Sequence, residues 1–273
     1  MRTYDENKPI GWQSEGSMTS TTAGEGPGHG PHFVQAVGRA FAILRCFGAD
    51  HPALTASAAA KRTGLDRATA RRLLLTLADL GYVRYDGQAF RLTAQTLDLG
   101  YSYLSGLALP EIAQPHLHDL AHRLNETASL ALLDRGDVVN LAVVPGQRHA
   151  PPTLAVGARR PAHVTSSGQV LLAALPEDEL TRRLDALPDI AGLPKEIEQV
   201  RERGWAMAEH DVDDDLHAIA APVRHRRGRV LAAVTASVHP DRLGHGLVER
   251  DYVPELLRTA WSIEADLANL PEG

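Results

Sequence analysis

Residues 63–92, TGLDRATARRLLLTLADLGYVRYDGQAFRL, decide the fold of the first third of this chain. Asp66 is a good helix N-cap, and apolar residues recur after it at helical spacing. The sequence therefore predicts a helix that begins at Asp66 and is stopped by Gly81. Two short strand-like segments, YVRYD and AFRLT, flank Gly87-Gln88, a pair typical of a tight hairpin turn.

Two further helices are predicted upstream of this stretch. Val34–Phe47 carries apolar residues at helical spacing and ends near Gly48. Thr55 is placed to cap a short helix, ASAAAKRTG, which ends at Gly64. The order helix, helix, turn, helix, hairpin predicts a winged helix-turn-helix.

The third helix has an apolar face and a basic face. Arg71 and Arg72 are predicted to point away from the apolar face. Thr69 lies on the flank of that face and Arg67 near its other edge, while Leu75 is predicted to point outward. The face predicted to be buried consists of Ala70, Leu73, Leu74, Leu77 and Leu80.

Arginines near the start of such a helix suit contact with a DNA duplex. A guanidinium binds guanine O6 and N7 in a two-pronged contact or neutralises a phosphate, and the hairpin would lie along the backbone or minor groove. A solvated helix face is the alternative interpretation, but the element order favours DNA binding. The predicted DNA-binding residues are Thr55, Arg67, Thr69, Arg71, Arg72, Arg84, Tyr85 and Arg91.

The charge of the chain is distributed unevenly. The formal net charge is −6, yet residues 33–92 hold nine basic and four acidic residues, a net charge of +5. The rest of the chain is therefore strongly acidic. Such asymmetry indicates that one segment binds a polyanion while the remainder does not.

Length and composition indicate a globular, two-domain protein. The 273 residues are 44% hydrophobic, and no apolar run approaches the length of a membrane span. A single cysteine, Cys46, fits a reducing compartment, so we expect a cytoplasmic protein without a membrane partner. The predicted boundaries are a disordered tail at 1–32, the winged helix-turn-helix at 33–93, a linker helix at 94–109, and a second domain at 110–273.

The second domain mixes strands and helices. The linker helix, Thr96–Gly106, is interrupted by Pro110 and followed by a helix over about 111–124. SLALLDRG and VVNLAVVP predict an antiparallel pair, and AIAAPVRHRRGRVLAAVTASVH predicts a second pair that turns at Arg227-Gly228. HVTSSGQVLLAAL predicts a buried helix, DELTRRLDAL and EIEQVRERG exposed helices, and VPELLRTAWSIEADLANL a terminal one. The overall class is α+β.

Three patterns invite a catalytic or metal-binding interpretation. His118 and His122 have zinc-ligand spacing, but HLHDLAH lacks the glutamate of HExxH. The acidic run around Asp213 lacks the spacing of a calcium loop. TSSGQ does not match the G-x-S-x-G nucleophile motif. We expect no metal, no cofactor and no catalysis, with a hydrolase using Ser167 and a sensor that binds no DNA as the alternatives.

Several segments resemble the IclR family of bacterial transcriptional regulators. They are FVQAVGRAFAILRCFGAD, LTASAAAKRTGLDRATARRLLLTLADLGYV, VGARRPAHVTSSGQVLLAAL, RERGWAMAEHDVDDDLHAIAAPV and GRVLAAVTASVH, within about residues 33–270. LRCFGAD and LSGLALPEIAQPHL are similar to the subgroup that governs aromatic-acid catabolism. The resemblance implies a GAF-like α/β effector-binding domain and homodimers on operator DNA, which in the family often assemble into tetramers.

The resemblance also implies an effector pocket. Backbone amides of Thr165, Ser166 and Ser167, leading into Gly168, would bind the acid group of the effector, as helix N-termini bind anions. His163 precedes this loop and would shape selectivity. One acidic position of the family's pocket matches Glu209 or Asp211, and the remaining matches are Ala218, Thr235 and Ser237.

Two departures from the family pattern bear on the effector. Asp215 stands where relatives often have glycine, and Ala218 stands where they have cysteine or serine. The loss of one polar contact at Ala218 favours a larger or more apolar ligand. Donors at one end and hydroxyls opposite suit a small, aromatic carboxylate that also carries hydroxyls. We therefore expect a DNA-binding transcriptional regulator, controlled by such an effector, that governs a catabolic operon.

Overall fold

The computed structural model describes residues 30–48, 50–146, 154–185, 187, 192–209, 216–243 and 246–269. Most of the predicted disordered tail lies outside the described residues, as do Asp211, Asp213 and Asp215. The chain forms two compact units, Met1–Tyr101 and Ser102–Gly273. Each unit has its own hydrophobic core.

The first unit contains three helices and a two-stranded antiparallel hairpin. Its elements are α1 (Gln35–Leu44), α2 (Ala56–Thr63), α3 (Arg67–Asp79), β1 (Val83–Tyr85) and β2 (Phe90–Leu92). The predicted order is confirmed, with each element slightly shorter than expected.

Local capping explains where two of these helices begin. The Thr55 side chain accepts a hydrogen bond from the Ala58 N–H at 3.1 Å, and Asp66 accepts one from the Thr69 N–H at 2.8 Å. Each bond satisfies a backbone donor that has no partner within its helix. Gly64 ends α2 with φ of 68°, a left-handed conformation that glycine adopts without steric cost.

The apolar face of α3 differs from the prediction at two leucines. Ala70, Leu74 and Leu77 are buried as expected. Leu80 is 57% exposed, because it follows the last helical residue and is the C-cap. Leu75 does not point freely outward, since it packs partly buried against the core of this unit.

The second unit is built on one antiparallel sheet with the strand order β5-β4-β3-β8-β7-β6. Its strands are β3 (Thr127–Asp134), β4 (Asp137–Val144), β5 (Arg159–Pro161), β6 (Ala206–Ala208), β7 (His217–Arg224) and β8 (Val230–Val238). Its helices are α5 (Ala108–Leu124), α6 (Ser166–Ala173), α7 (Glu177–Leu184), α8 (Leu193–Arg203) and α9 (Val253–Ala268), and α4 (Thr96–Ser105) spans the boundary between the units. No helix among the described residues is long and apolar enough to cross a bilayer.

The break between α4 and α5 is not where the sequence predicts it. The helices separate at Gly106 and Leu107, and Pro110 lies inside the first turn of α5. A proline is tolerated there because the first backbone N–H groups of a helix have no intrahelical acceptor. The prediction that Pro110 interrupts the helix is therefore wrong.

The two faces of the sheet carry different layers. Alternate residues of β8, such as Val234 and Ala236, pack with α5 and α9 in one cluster. Ala233 faces the other side and packs in a second cluster with Val170 of α6. Since side chains alternate along a strand, every odd-numbered position of β8 between 233 and 237 faces α6.

The sequence did not predict the strands β5 and β6, nor the burial of one side of α7 and α8. β5 and β6 are three residues long, too short for alternation to be visible. The helices α7 and α8 are not simply exposed, because Leu180 and Ile197 are buried in the cluster that contains α6. Both helices therefore belong to the layer on the α6 face.

Candidate functional site

The start of α3 presents guanidinium groups to solvent. Arg67, Arg71 and Arg72 are exposed, while Ala70 and Leu74 between and behind them are fully buried. The buried residues hold the helix against its own unit, so the arginines project from a rigid support. This is the arrangement in which a recognition helix enters the major groove.

Thr69 is held by the helix cap. Its side chain and then its backbone N–H hydrogen-bond to Asp66, and these bonds lower the pKa of the Asp66 carboxyl. Thr69 is half-buried, unlike the neighbouring arginines. Its predicted contact with DNA thus competes with its role at the cap.

The hairpin, called the wing below, places two arginines side by side. Arg84 and Arg91 are cross-strand partners, so both side chains leave the same face of the wing. Val83 and Phe90 point to the opposite face and are buried. Phe90 also exchanges two backbone hydrogen bonds with Leu54, of 2.9 and 2.8 Å, which fastens the wing to the segment before α2.

The turn of the wing is organised by Asp86. Its carboxylate accepts hydrogen bonds from the N–H groups of Ala89 (2.8 Å) and Gln88 (3.0 Å), and from Arg91 Nε at 3.3 Å. These contacts, led by the Ala89 N–H, lower the pKa of Asp86 to about 2. Tyr85 donates its hydroxyl hydrogen bond to the Gly87 carbonyl at 2.7 Å, so the tip is well ordered by its own side chains.

The second unit contains a row of hydroxyl groups on the α6 face of its sheet. Thr235 pairs across the sheet with Ser129 on one side and Ala220 on the other, and Ser237 pairs with Thr127 and Ala218. Directly opposed residues of antiparallel strands point to the same face. The alanines on β7 leave room beside the hydroxyls.

Two of these hydroxyls have no hydrogen-bond partner among the described residues. Thr235 and Ser237 are only 3% and 4% exposed, so water cannot reach Thr235 Oγ1 or Ser237 Oγ, and neither atom has a hydrogen-bond partner in the described part of the chain. A buried polar group without a partner is costly, so it usually marks a place where a ligand or ordered water supplies one.

The start of α6 lies over the same face. Thr165 accepts a hydrogen bond from the Gly168 N–H at 3.1 Å, and Thr165, Ser166 and Ser167 are all buried. A side chain at Gly168 would overlap the backbone of Ala162, so only glycine permits this close approach. Backbone amides at a helix N-terminus attract anions.

The other predicted pocket positions are distributed differently. Ala218 is fully buried beside Ser237, whereas Glu209 is exposed at the end of β6. Asp211 lies outside the described residues. His163 lines a cavity with Arg135 and Leu172, and its effect on selectivity stays a prediction.

Ser129, which lies opposite Thr235, is not among the residues predicted from the sequence. The strand SLALLDRG was predicted, and alternation within it would have placed Ser129 on one face with Ala131. Its partner strand could not be known, because the pairing of β3 with β8 joins segments about a hundred residues apart.

No group of three histidine, cysteine, aspartate or glutamate side chains placed to hold a metal ion occurs within the described part of the chain. His118 is exposed on α5, and its Nε2 lies 3.4 Å from Gln114 Nε2. His122 is likewise exposed near the end of the same helix.

The winged helix-turn-helix, with its basic recognition helix, and the sheet domain with its buried hydroxyl row define a DNA-binding transcriptional regulator with a ligand-binding domain. Comparison with known proteins identifies the family. Residues 36–87 match the IclR helix-turn-helix domain, and residues 101–265 match the bacterial transcriptional regulator IclR C-terminal domain. The chain belongs to the IclR family of bacterial transcriptional regulators.

Individual relatives agree with this assignment. The chain is 34% identical to the Pca regulon regulatory protein of Pseudomonas putida, over 83% of this chain and 82% of the relative. It is 31% identical to the p-hydroxybenzoate hydroxylase transcriptional activator of Acinetobacter baylyi, over 84% and 90% respectively. An IclR homologue from Microbacterium hydrocarbonoxydans, solved in complex with 4-hydroxybenzoate, is 27% identical with a TM-score of 0.72, covering 85% of this chain and 98% of its own.

Proposed function

We propose that this regulator controls an operon for aromatic-acid catabolism and that its effector is a small aromatic carboxylate bearing ring hydroxyls. The observation that carries the proposal is the pair of buried, unpartnered hydroxyls at Thr235 and Ser237. The Acinetobacter relative is named for p-hydroxybenzoate hydroxylase, and the Microbacterium relative binds 4-hydroxybenzoate, which supports this ligand class.

In this proposal the effector lies between the sheet and the start of α6. Its carboxylate accepts hydrogen bonds from backbone amides of the loop that leads into Gly168, whose own N–H is bonded to Thr165. Its ring hydroxyls meet Thr235 and Ser237 at the other end. Ala218 and Ala220 provide the space for the ring. An acidic side chain, Glu209 or Asp211, is proposed to contribute to the same pocket.

We propose that operator DNA contacts α3 and the wing. The protein is proposed to act in the cytoplasm. Arg71 and Arg72 enter the major groove, Arg67 and Thr69 flank them, and Thr55 contacts the backbone from the start of α2. Arg84 and Arg91 brace the wing against neighbouring phosphates, and Tyr85, on the other face of the wing, is proposed to contact the DNA near the tip.

The DNA-binding unit is proposed to act as a homodimer. Large apolar side chains are exposed on α1 and just before it, where Val34 is 60% and Phe41 48% exposed. On α4, Leu97 is 72% and Tyr101 71% exposed. Large exposed apolar side chains favour burial in a partner subunit, and a two-fold dimer matches a pseudo-palindromic operator. We also propose that dimers pair into tetramers. The chain is proposed to divide into three functional parts, residues 33–93, 94–109 and 110–273.

The effector must favour one arrangement of the dimer over another to alter operator binding. The helix α4 continues directly from the wing into the second unit and is proposed to transmit this difference. The coupling expected for such a system is on the order of 1–3 kcal/mol.

Calorimetric titration of the full chain with 4-hydroxybenzoate and 3,4-dihydroxybenzoate tests the effector class. Ser237→Ala should weaken binding, whereas Ser262→Ala, a hydroxyl deletion on α9 across the sheet, should not. Identical titrations for the wild type and Ser237→Ala would refute the pocket. Turnover of the acids or their esters, lost in Ser167→Ala, would instead favour the hydrolase alternative.

A further inference from the structure

A cavity lies beside the segment that leads into α6. Its volume is about 350 Å³, and it is bounded by the β3–β4 turn, by α6 and by α7. Thr235 and Ser237 are not among the described residues that line it. The cavity is therefore separate from the hydroxyl row on the sheet.

The floor of this cavity is apolar. Ala162 and Leu172 form part of it and are each 2% exposed, and Leu187 closes one side. A volume of this size, near the lower end of the range for small-molecule sites, accommodates a ligand with a single ring. The floor provides the apolar contact such a ring requires.

One polar atom in the wall lacks a partner. His163 Nδ1 is inaccessible to solvent and makes no hydrogen bond to any described residue. An imidazole nitrogen either donates or accepts depending on its tautomer, so it can bond to either kind of ligand group. A buried nitrogen without a partner costs free energy, as do the unpaired hydroxyls of Thr235 and Ser237.

The rim is basic. Arg182 and Arg183 are paired with acidic residues one turn earlier on α7, Arg183 with Glu179 at 2.6 Å. Arg135 differs, because it forms no ion pair or hydrogen bond within the described ranges of the chain. It sits at the β3–β4 turn with φ of 59°, which fixes its backbone at the cavity mouth.

We propose that this cavity is a second ligand site, which binds a small monocarboxylate with a ring-sized apolar body. The carboxylate pairs with Arg135, and the ring packs on Ala162 and Leu172. A rotation of the His163 side chain, whose Nδ1 is inaccessible in the ligand-free structure, brings that atom to a polar atom of the ligand. This site goes beyond the proposed effector pocket. Both sites adjoin the Ala162–Gly168 segment, so a ligand in one can influence the segment that forms the other.

Sodium benzoate at constant ionic strength is a suitable probe, titrated calorimetrically into the full-length protein. The effector pocket is disabled by combining Thr235→Val with Ser237→Ala. In this background benzoate should still bind, with one site per chain. Sodium acetate, which has the charge but no ring, should bind at least ten-fold more weakly.

Two variants in the same background test the location. Arg135→Asn removes the cation, and asparagine tolerates the positive φ at this turn. It should weaken benzoate binding at least ten-fold, and Leu187→Trp, which fills the cavity, should abolish it. Arg229→Asn removes an exposed charge at the β7–β8 turn and should leave binding unchanged.

Loss of all benzoate binding in the Thr235→Val, Ser237→Ala background would overturn the second site, as would equal affinity for acetate. Unchanged binding in both Arg135→Asn and Leu187→Trp would overturn it as well. None of these results bears on 3,4-dihydroxybenzoate binding to the wild type and Ser237→Ala, so failure of the second site is distinguishable from failure of the effector pocket.

Discussion

Arg84 and Arg91 lie directly opposite each other on the outward face of the wing. Arg91 is paired with Asp86 at 3.3 Å, while Arg84 has no anionic partner among the described residues. Like charges across a strand pair are destabilising. The wing keeps this arrangement although a neutral pair would be more stable, which fits a surface that meets phosphates.

The unpaired cation on the wing should contribute to salt dependence. Arg84→Gln should reduce the slope of log K for operator binding against log salt by about 1, because one phosphate contact and its released counterions are lost. Fluorescence anisotropy with a labelled operator duplex at several salt concentrations measures the slope. An unaltered slope would remove Arg84 from the DNA contacts.

The recognition helix should contribute more to affinity. Arg71→Ala and Arg72→Ala are each expected to weaken operator binding by about 1–3 kcal/mol, roughly 5- to 150-fold, if the side chain contacts a base. Effector affinity should not change. Arg258→Ala removes an arginine that is also exposed, on α9, and serves as the control. Wild-type operator affinity in both α3 variants would contradict the proposed interface.

The wing turn should lose stability in acid. Since folding lowers the pKa of Asp86 from 3.8 to about 2, its stabilising effect is complete above pH 3.8 and is lost as the pH falls towards 2. Amide exchange at Gln88 and Ala89, corrected for intrinsic rates, should therefore accelerate over this range. Asp86→Asn should remove this pH dependence, and a variant that keeps it would show that another group is responsible.

Removal of the unpaired hydroxyl of Thr235 should raise the stability of the protein and lower its affinity for the effector. Thr235→Val should stabilise the ligand-free protein by about 1 kcal/mol, because it removes a buried hydroxyl without a partner, and weaken effector binding by roughly 3- to 10-fold. Thr259→Val is the matched control, since Thr259 is also buried but accepts a hydrogen bond from Arg123 at 3.4 Å. Urea denaturation should show destabilisation for the control, and destabilisation by Thr235→Val would refute the argument.

The close approach at Gly168 should be intolerant of a side chain. Gly168→Ala should destabilise the second unit by about 1–3 kcal/mol or more, because the added Cβ overlaps the backbone of Ala162. Gly100→Ala, at a helical position with open space around it, should instead be stabilising by up to about 1 kcal/mol. Equal denaturation midpoints for the two variants would contradict this packing.

The elements of the DNA-binding unit could be predicted from the sequence because their signals are local. Asp66 and Thr55 cap the helices that follow them, and both caps are confirmed by hydrogen bonds. The errors lie at element ends. Leu80 follows the helical periodicity but is exposed at the C-cap, and Pro110 was expected to break a helix that it helps to begin.

The pocket positions came from family resemblance, and the structure adds how the chain brings some of them together. Thr235 and Ser237 alternate on one strand, so their shared face is implicit in the sequence. Ser129 and the cavity at Arg135 and His163 were not foreseen. They depend on strand pairing and helix packing between distant segments, which no local pattern specifies.

The amino-acid sequence by itself determined the capped helices, the wing and the basic surface of α3, because each depends on interactions between residues a few positions apart. Only the tertiary structure decided that hydroxyls from β3 and β8 form one row, and that Thr235 and Ser237 lie buried without partners. The physical reason is that burial and desolvation arise from long-range packing, in which segments far apart along the chain exclude water together.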